Sequence, residues 1–181
     1  MARRKSRIIA FQAIYSWDVG SISETDVLDF NWVSDEVKSN LGLEGLTFAK
    51  LLVSGTIEHI EEIDSMIKKH LINWDFERLN KVDLAVLRIS TYPLMFQKDL
   101  HPSIIIDEAI DIVKEFGSID SFKFVNAVLD NIRKRDHNDK IKEVGALKIT
   151  EESIVIDTTN LTIEEVQNKI IEIIEKKRGN K

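Results

Sequence analysis

The chain contains no cysteine. That absence excludes a disulfide framework, a thiolate zinc site and a cysteine nucleophile, and it suits a reducing compartment. There are only 7 glycines and 2 prolines in 181 residues. So few turn-formers argue against a sandwich or barrel of short strands and favour helices. No apolar run approaches the ~18 residues of a membrane span. The N-terminus is basic, but Gln12, Ser16 and Asp18 interrupt the apolar stretch behind it and no small-residue cleavage pattern follows. No signal peptide is read, and the expected location is the cytoplasm. Neither a Gly-x-x-x-x-Gly-Lys-Ser/Thr phosphate loop nor a Gly-x-Gly-x-x-Gly turn occurs, and nothing resembles a nucleophile elbow. The four histidines are isolated, so no metal site is expected. Paired acids such as Glu61-Glu62 and Asp107-Glu108 read as solvated helix faces. No catalytic residue and no cofactor are expected.

What is present is a core-forming composition with an uneven charge. Hydrophobic residues make up 43% and charged residues 31%, as in a globular protein. Arg3, Arg4, Lys5 and Arg7 give residues 1–17 a charge of +4, which leaves −10 for the remainder of a chain whose net charge is −6. Such a protein can hold an anion at its basic end without coating itself in polyanion. The plain alternative is a solvated basic terminus.

Helical periodicity runs through most of the chain. Ile9, Ala10, Ala13, Ile14 and Trp17 recur at spacings of three and four, which predicts a helix from Arg4 to Trp17 stopped by Gly20. Residues 21–42 read as a loop followed by a short helix from about Ser34 to Asn40. Leu46 to Leu71 reads as one long amphipathic helix, about 40 Å at 1.5 Å per residue, with Leu52, Ile60, Ile63, Ile67 and Leu71 on its stripe. Asn73 or Asp75 is the expected cap of the next helix, which reaches about Gln97 and is kinked or ended by Pro93. Ser103 is the expected cap of a helix through Phe116, with Gly117 as a left-handed stop. Ser118 is expected to open a further helix to about Arg135, with Phe122, Val125, Val128, Leu129 and Ile132 inward. The composition shifts after Asp136. Residues 138–181 are expected to form a separate extension, with a short strand at Ile154–Asp157 and a helix opened by the capping box Thr162-Ile-Glu-Glu165.

Three features remain as candidates for function. The first is the basic run Arg3-Arg-Lys-Ser-Arg7 leading to Gln12 and Tyr15. The second is Lys81-Val-Asp-Leu-Ala-Val-Leu-Arg88. The third is Phe116-Gly-Ser-Ile-Asp-Ser-Phe-Lys-Phe-Val-Asn126. In the third, a helix start offers free N–H groups and a positive dipole end to phosphate. Lys123 adds a cation. Phe124 lies off the apolar stripe and with Phe116 offers a stacking surface for unpaired bases, while Asn126 can pair with a base edge. The plain alternative makes both Phe side chains core and Gly117 only a cap.

These blocks, with Asn80 to Ile89, Asp107-Glu-Ala109 and Val128-Leu-Asp130, resemble the NusB family of bacterial transcription antitermination factors over residues 1–135. The resemblance implies an all-α fold of two packed three-helix subdomains over residues 1–137. It implies binding of boxA-type single-stranded RNA, notably in ribosomal RNA leaders. It implies a heterodimer with NusE, a small-subunit ribosomal protein, and entry into an RNA polymerase antitermination complex. A homodimer is compatible with it, and no catalysis is implied. Carried residue by residue, it places Arg3, Arg4, Lys5, Arg7, Phe116, Gly117, Ser121, Lys123, Phe124 and Asn126 at RNA, and Tyr15, Asp83 and Arg88 at NusE.

The chain departs from the family in places. Pro93 stands where an acidic residue often follows the Tyr, and Ala127 stands where the family often has Gly, which is expected to tighten a helix contact. Residues 138–181 lie outside the family, and Ile154 to Glu165 is faintly similar to the C-terminal end of cytidylate-type kinases. Without a phosphate loop the chain is not a kinase. Two other readings stay open. One is an accessory domain related to the N-termini of ribosomal RNA cytosine methyltransferases, which would need a downstream cofactor domain and a catalytic cysteine. The other is a protein-only scaffold that has lost RNA binding.

Overall fold

A computed structural model of the chain describes residues 2–20, 22–97, 99–145 and 162–178. The described residues contain helices and no strand. The chain divides into two compact units, Met1–Lys142 and Glu143–Lys181. In the first unit the helices are α1 (Ala2–Gly20), α2 (Glu24–Asp29), α3 (Asp35–Glu58), α4 (Ile60–His70), α5 (Lys81–Phe96), α6 (Pro102–Phe116) and all but the last three residues of α7 (Ser121–Gly145). In the second, α8 spans Ile163–Arg178, and the Val166 N–H donates to the Thr162 carbonyl in its first turn. The strand expected at Ile154–Asp157 falls outside the described residues. No described helix is long and apolar enough to cross a membrane.

Two groups of helices share one apolar core. α1, α2 and α3 pack on one another, and α5 packs against α1, α3, α4 and α6. The centre of the first unit is α5, in which every residue from Asp83 to Pro93 is buried. A helix that is apolar nearly all round belongs in the interior. α1 contributes Ile9, Ala10, Ala13 and Ile14 as its spacing predicts, and also Phe11, which reaches the core from the next face. α7 contributes Val125, Val128, Leu129 and Ile132.

Several boundaries differ from the sequence expectation. The run 46–71 is two helices, because the backbone breaks at His59 (φ −106°, ψ 22°). The buried positions Thr56, Ile63 and Ile67 keep helical phase across the break, so periodicity alone cannot reveal it. The joint is held by tertiary contact: His59 stacks on Phe96 with ring centroids 4.1 Å apart, and its Nδ1 lies 3.1 Å from Glu62 Oε1. The polar segment 21–42 hides α2, a single turn capped by the Ser23 hydroxyl, which buries Val27 and ends at Phe30 in a left-handed conformation. The short helix begun at Ser34 passes into the rest of α3 through Gly42 (φ 65°), a kink that glycine takes without steric cost.

The cap of α5 is Asn80, whose side chain accepts from the Val82 N–H, while Asp75 caps only a 3-10 turn at Phe76–Arg78. Pro93 does not stop α5 at once. The helix runs to Phe96, and the Gln97 N–H closes it on the Pro93 carbonyl. α6 begins at Pro102 with His101 as its cap, two residues earlier than a Ser103 cap requires. Proline suits that first position because its missing N–H would be unpaired there anyway. Gly117 is extended (φ −93°, ψ −171°), not left-handed.

Candidate functional site

The basic start of α1 is tied to the C-terminal half of α6. Arg4 lies 3.1 Å from Asp111 and 3.4 Å from Glu115, and Arg3 lies 3.0 Å from Glu44 on α3. All of these groups are well exposed, so each pair contributes little stability and exchanges readily for another anion. Lys5 is exposed as well. Arg7 is different. It is buried, and its guanidinium lies 5.2 Å from the Phe48 ring centre, beneath Arg3 at 4.4 Å from the same ring. Burial pushes the Arg7 pKa down, the Glu108 carboxylate opposes that shift, and the Arg3 charge adds to it. Arg7 therefore supports the cationic end from below, while Arg3, Arg4 and Lys5 face solvent.

Next to Glu115 on α6 sits Phe116, partly exposed and packed against Phe11 with ring centroids 5.3 Å apart. It lines a hollow of about 430 Å³ with Tyr15, Trp32 and Val82 among its walls. Gly117 is required next by space: an added Cβ would stand 2.7 Å from the Val113 carbonyl oxygen and 2.9 Å from Ser121 Cβ.

The turn into α7 is a small hydrogen-bonded joint. The Ser118 N–H donates to Ser121 Oγ at 3.0 Å. The Ser118 and Ser121 hydroxyls lie 2.8 Å apart, and either can donate to the other. Ser121 is 2% exposed and sits inside this joint, away from solvent. α7 starts at Ser121, three residues later than expected, and the carboxylate of Asp120 stands at its N-terminal end, 2.9 Å from Lys123. Lys123 and Asn126 are exposed, and Phe124 is half-buried. Ala127 is also exposed, so its methyl group tightens no helix contact.

Phe124 meets an aromatic partner that sequence reasoning missed. Trp74, in the segment between α4 and α5, lies with its ring centroid 5.3 Å from that of Phe124. With Arg78, Asn80 and Asp83 the two rings line a second hollow, of about 460 Å³. The available signal was a lone Trp between Asn73, which takes a left-handed backbone (φ 60°), and the cap Asp75. Val82 and Asp83, neighbours in the first turn of α5, line one hollow each.

Tyr15, Asp83 and Arg88 do not share an open face. Tyr15 is partly exposed beside Phe11. Asp83 and Arg88 are buried, at 7% and 6% exposure. Arg88 is held by Asp64 and Asp18. Burial pushes the Asp83 carboxyl above its ordinary range, and the Ser121 hydroxyl partly offsets this. No cluster of His, Cys, Asp or Glu among the described residues could hold a metal ion.

Residues 4–134 match the NusB family. Residues 113–176, about a third of the chain, match the cytidylate kinase family and overlap the first match. The chain is 51% identical over 136 residues to the transcription antitermination protein NusB of Treponema denticola, covering 75% of this chain and 98% of that protein. It is 47% identical over 134 residues to the NusB of Treponema pallidum, covering 74% and 94%. Among solved structures, the antitermination factors NusB and NusE in complex with dsRNA include a chain with a TM-score of 0.64, 32% identity, and coverage of 74% and 97%.

Proposed function

Since the chain belongs to the NusB family, we propose that it is an RNA-binding transcription antitermination factor that takes boxA-type single-stranded RNA together with NusE. It acts by binding, not catalysis. In this reading it joins an RNA polymerase antitermination complex and suppresses termination, notably on ribosomal RNA. The observation that carries the proposal is the pairing of Arg4 with Asp111 and Glu115, which sets the cationic start of α1 within two helical turns of the partly exposed Phe116. Exposed cations beside exposed aromatic rings are what a single strand needs: phosphates neutralised on one side, bases stacked on the other.

Within that reading, Arg3, Arg4 and Lys5 hold phosphates and Arg7 holds them in place from beneath. Phe116 and Phe124 receive bases, and Lys123 and Asn126 reach the backbone and a base edge. Gly117 and Ser121 fix the turn that presents these groups. Tyr15 offers NusE an accessible edge, and Asp83 and Arg88 position α5 behind it.

Replacing Arg3, Arg4 and Lys5 together by Ala is expected to weaken RNA binding while leaving the melting temperature nearly unchanged, since only exposed pairs are lost. The slope of log affinity against log salt should fall by about 0.7 per phosphate contact removed, about 2 for all three. A binding titration across salt concentrations checks this, and an unchanged slope would show that these side chains do not touch phosphate.

Phe124→Ala should reduce RNA affinity by about 1–3 kcal/mol, the scale of one base stack. Its effect on stability should stay below the ~3–5 kcal/mol cost of emptying a core Phe site, because the ring is only half-buried. Affinity and melting temperature measured on the one variant separate the two roles: a sharp drop in melting temperature with unaltered RNA affinity would make Phe124 a core residue.

A further inference from the structure

The hollow lined by Trp74 and Phe124 contains a polar group that the fold leaves unsatisfied. Asp83 is one of its lining residues and is 93% buried, being 7% exposed. Its Oδ1 has no hydrogen-bond partner among the described residues. A buried acceptor without a donor costs free energy that a ligand bringing N–H groups would recover. Around it the hollow has the other parts of a base-binding site. Trp74 is 61% exposed and offers a free ring face, with Phe124 behind it at 5.3 Å. Arg78 and Lys123 stand in the same lining, able to meet flanking phosphates. The volume, about 460 Å³, lies within the range of small-ligand sites.

We propose that this hollow is a nucleobase slot in which an unpaired guanine stacks on Trp74 and donates its Watson–Crick edge to Asp83. The proposal rests on the RNA-binding reading above and adds a base preference to it. The chemistry selects guanine. A carboxylate only accepts hydrogen bonds. Guanine presents two adjacent donors, the ring N1–H and the exocyclic N2 amine. Uracil has a single ring N–H between two carbonyl oxygens, which repel a carboxylate. The amino groups of adenine and cytosine each stand beside a ring nitrogen acceptor, which repels it too. Unpaired bases can be read on this edge because nothing else occupies it. The donated hydrogen bonds also offset the burial that disfavours the ionised carboxyl.

The test uses the full chain and three labelled heptanucleotides: all-uridine, uridine with one central guanosine, and the same with inosine, which keeps N1–H and lacks the N2 amine. Fluorescence anisotropy gives the affinities. The guanosine oligonucleotide should bind wild type about fivefold to tenfold more tightly than the inosine one, within the discrimination of a bidentate base contact. In Asp83→Asn that ratio should fall to about one (an order-of-magnitude expectation from losing the acceptor pair). Trp74→Ala, which removes an exposed ring and spares the core, should weaken the guanosine oligonucleotide about tenfold, one lost stack. Equal affinity of wild type for guanosine and inosine would overturn the slot, and that comparison does not depend on any variant folding. A preference that survives in Asp83→Asn, or undiminished affinity in Trp74→Ala, would overturn it as well. Binding of the inosine and all-uridine oligonucleotides by wild type would leave the RNA-binding reading standing in those cases. Failure to bind all three would take both down together.

Discussion

Arg88→Ala is expected to destabilise the folded chain by about 3–5 kcal/mol, the cost of removing one partner from a buried charge cluster. Arg88 on α5 grips Asp64 of α4 bidentately, Nε to Oδ1 at 2.9 Å and Nη2 to Oδ2 at 2.8 Å. Its Nη1 lies 2.9 Å from Asp18 Oδ1 on α1, and Lys81 holds the other Asp18 oxygen at 3.0 Å. Three helices therefore meet at one guanidinium. Its loss leaves Asp64 without its partner and Asp18 with Lys81 alone, both largely out of water. The planar fork cannot be replaced by Lys, which offers a single point charge. Arg88→Met with Asp18→Asn and Asp64→Asn should recover much of the loss, because neutral groups of similar volume replace a buried ion cluster at little cost. Urea unfolding midpoints on these variants check the ordering.

The same cluster gives a pH signature. Burial would push the Asp18 carboxyl up, but hydrogen bonds from Arg88 and Lys81, with their charges, overcome it and hold the group below its ordinary range. A depressed carboxylate contributes stability that is present above its unfolded pKa, about 3.9, and is lost as pH falls through the lower folded value. Wild type should therefore lose stability on acidification below about pH 4. In Arg88→Ala the part of that loss due to Asp18 should shrink. An identical acid dependence in the two proteins would contradict this account of the cluster.

Gly55→Val is expected to cost about 3 kcal/mol, the upper part of the range for overpacking. At Gly55 of α3 an added Cβ would collide with the ring and hydroxyl of Tyr92 on α5. Both residues are buried, and Tyr92 is itself fixed against Phe96, with ring centroids 5.6 Å apart. The missing side chain is what lets α3 and α5 approach. At an open helix position, replacing Gly by Ala would gain about 1 kcal/mol from propensity alone. Here Gly55→Ala should lose stability instead. Combining it with Tyr92→Leu should recover part of the loss, a coupling that additive sites would not show. A stabilised Gly55→Ala would contradict the close packing.

The sequence made the central helices legible where one face is apolar and the other charged. α1, α6 and α7 follow their stripes, and Val125, Val128, Leu129 and Ile132 are buried as their spacing requires. It was silent where tertiary contact overrides local pattern. His59 breaks a run whose periodicity never falters, because stacking on Phe96 fixes the joint. α2 is one turn of mostly polar residues, too short for a period. At the candidate site, the exposed cations Arg3, Arg4 and Lys5 and the aromatics Phe116 and Phe124 were visible as residue types next to a helix start. Burial was not visible. Arg7, Ser121, Asp83 and Arg88 look like surface chemistry in a string of letters, and the fold places each of them inside. Trp74 escaped notice because its partner Phe124 lies 50 residues away and no local pattern links them.

The proposed function rests on specific recognition of single-stranded RNA by a basic and aromatic surface, in company with NusE. The most direct measurement is the affinity of the purified chain for a boxA-type oligonucleotide and for a scrambled oligonucleotide of the same composition, each with and without NusE. The boxA-type strand should bind more tightly, with NusE widening the difference. Equal affinity for the two strands, with NusE present, would contradict it.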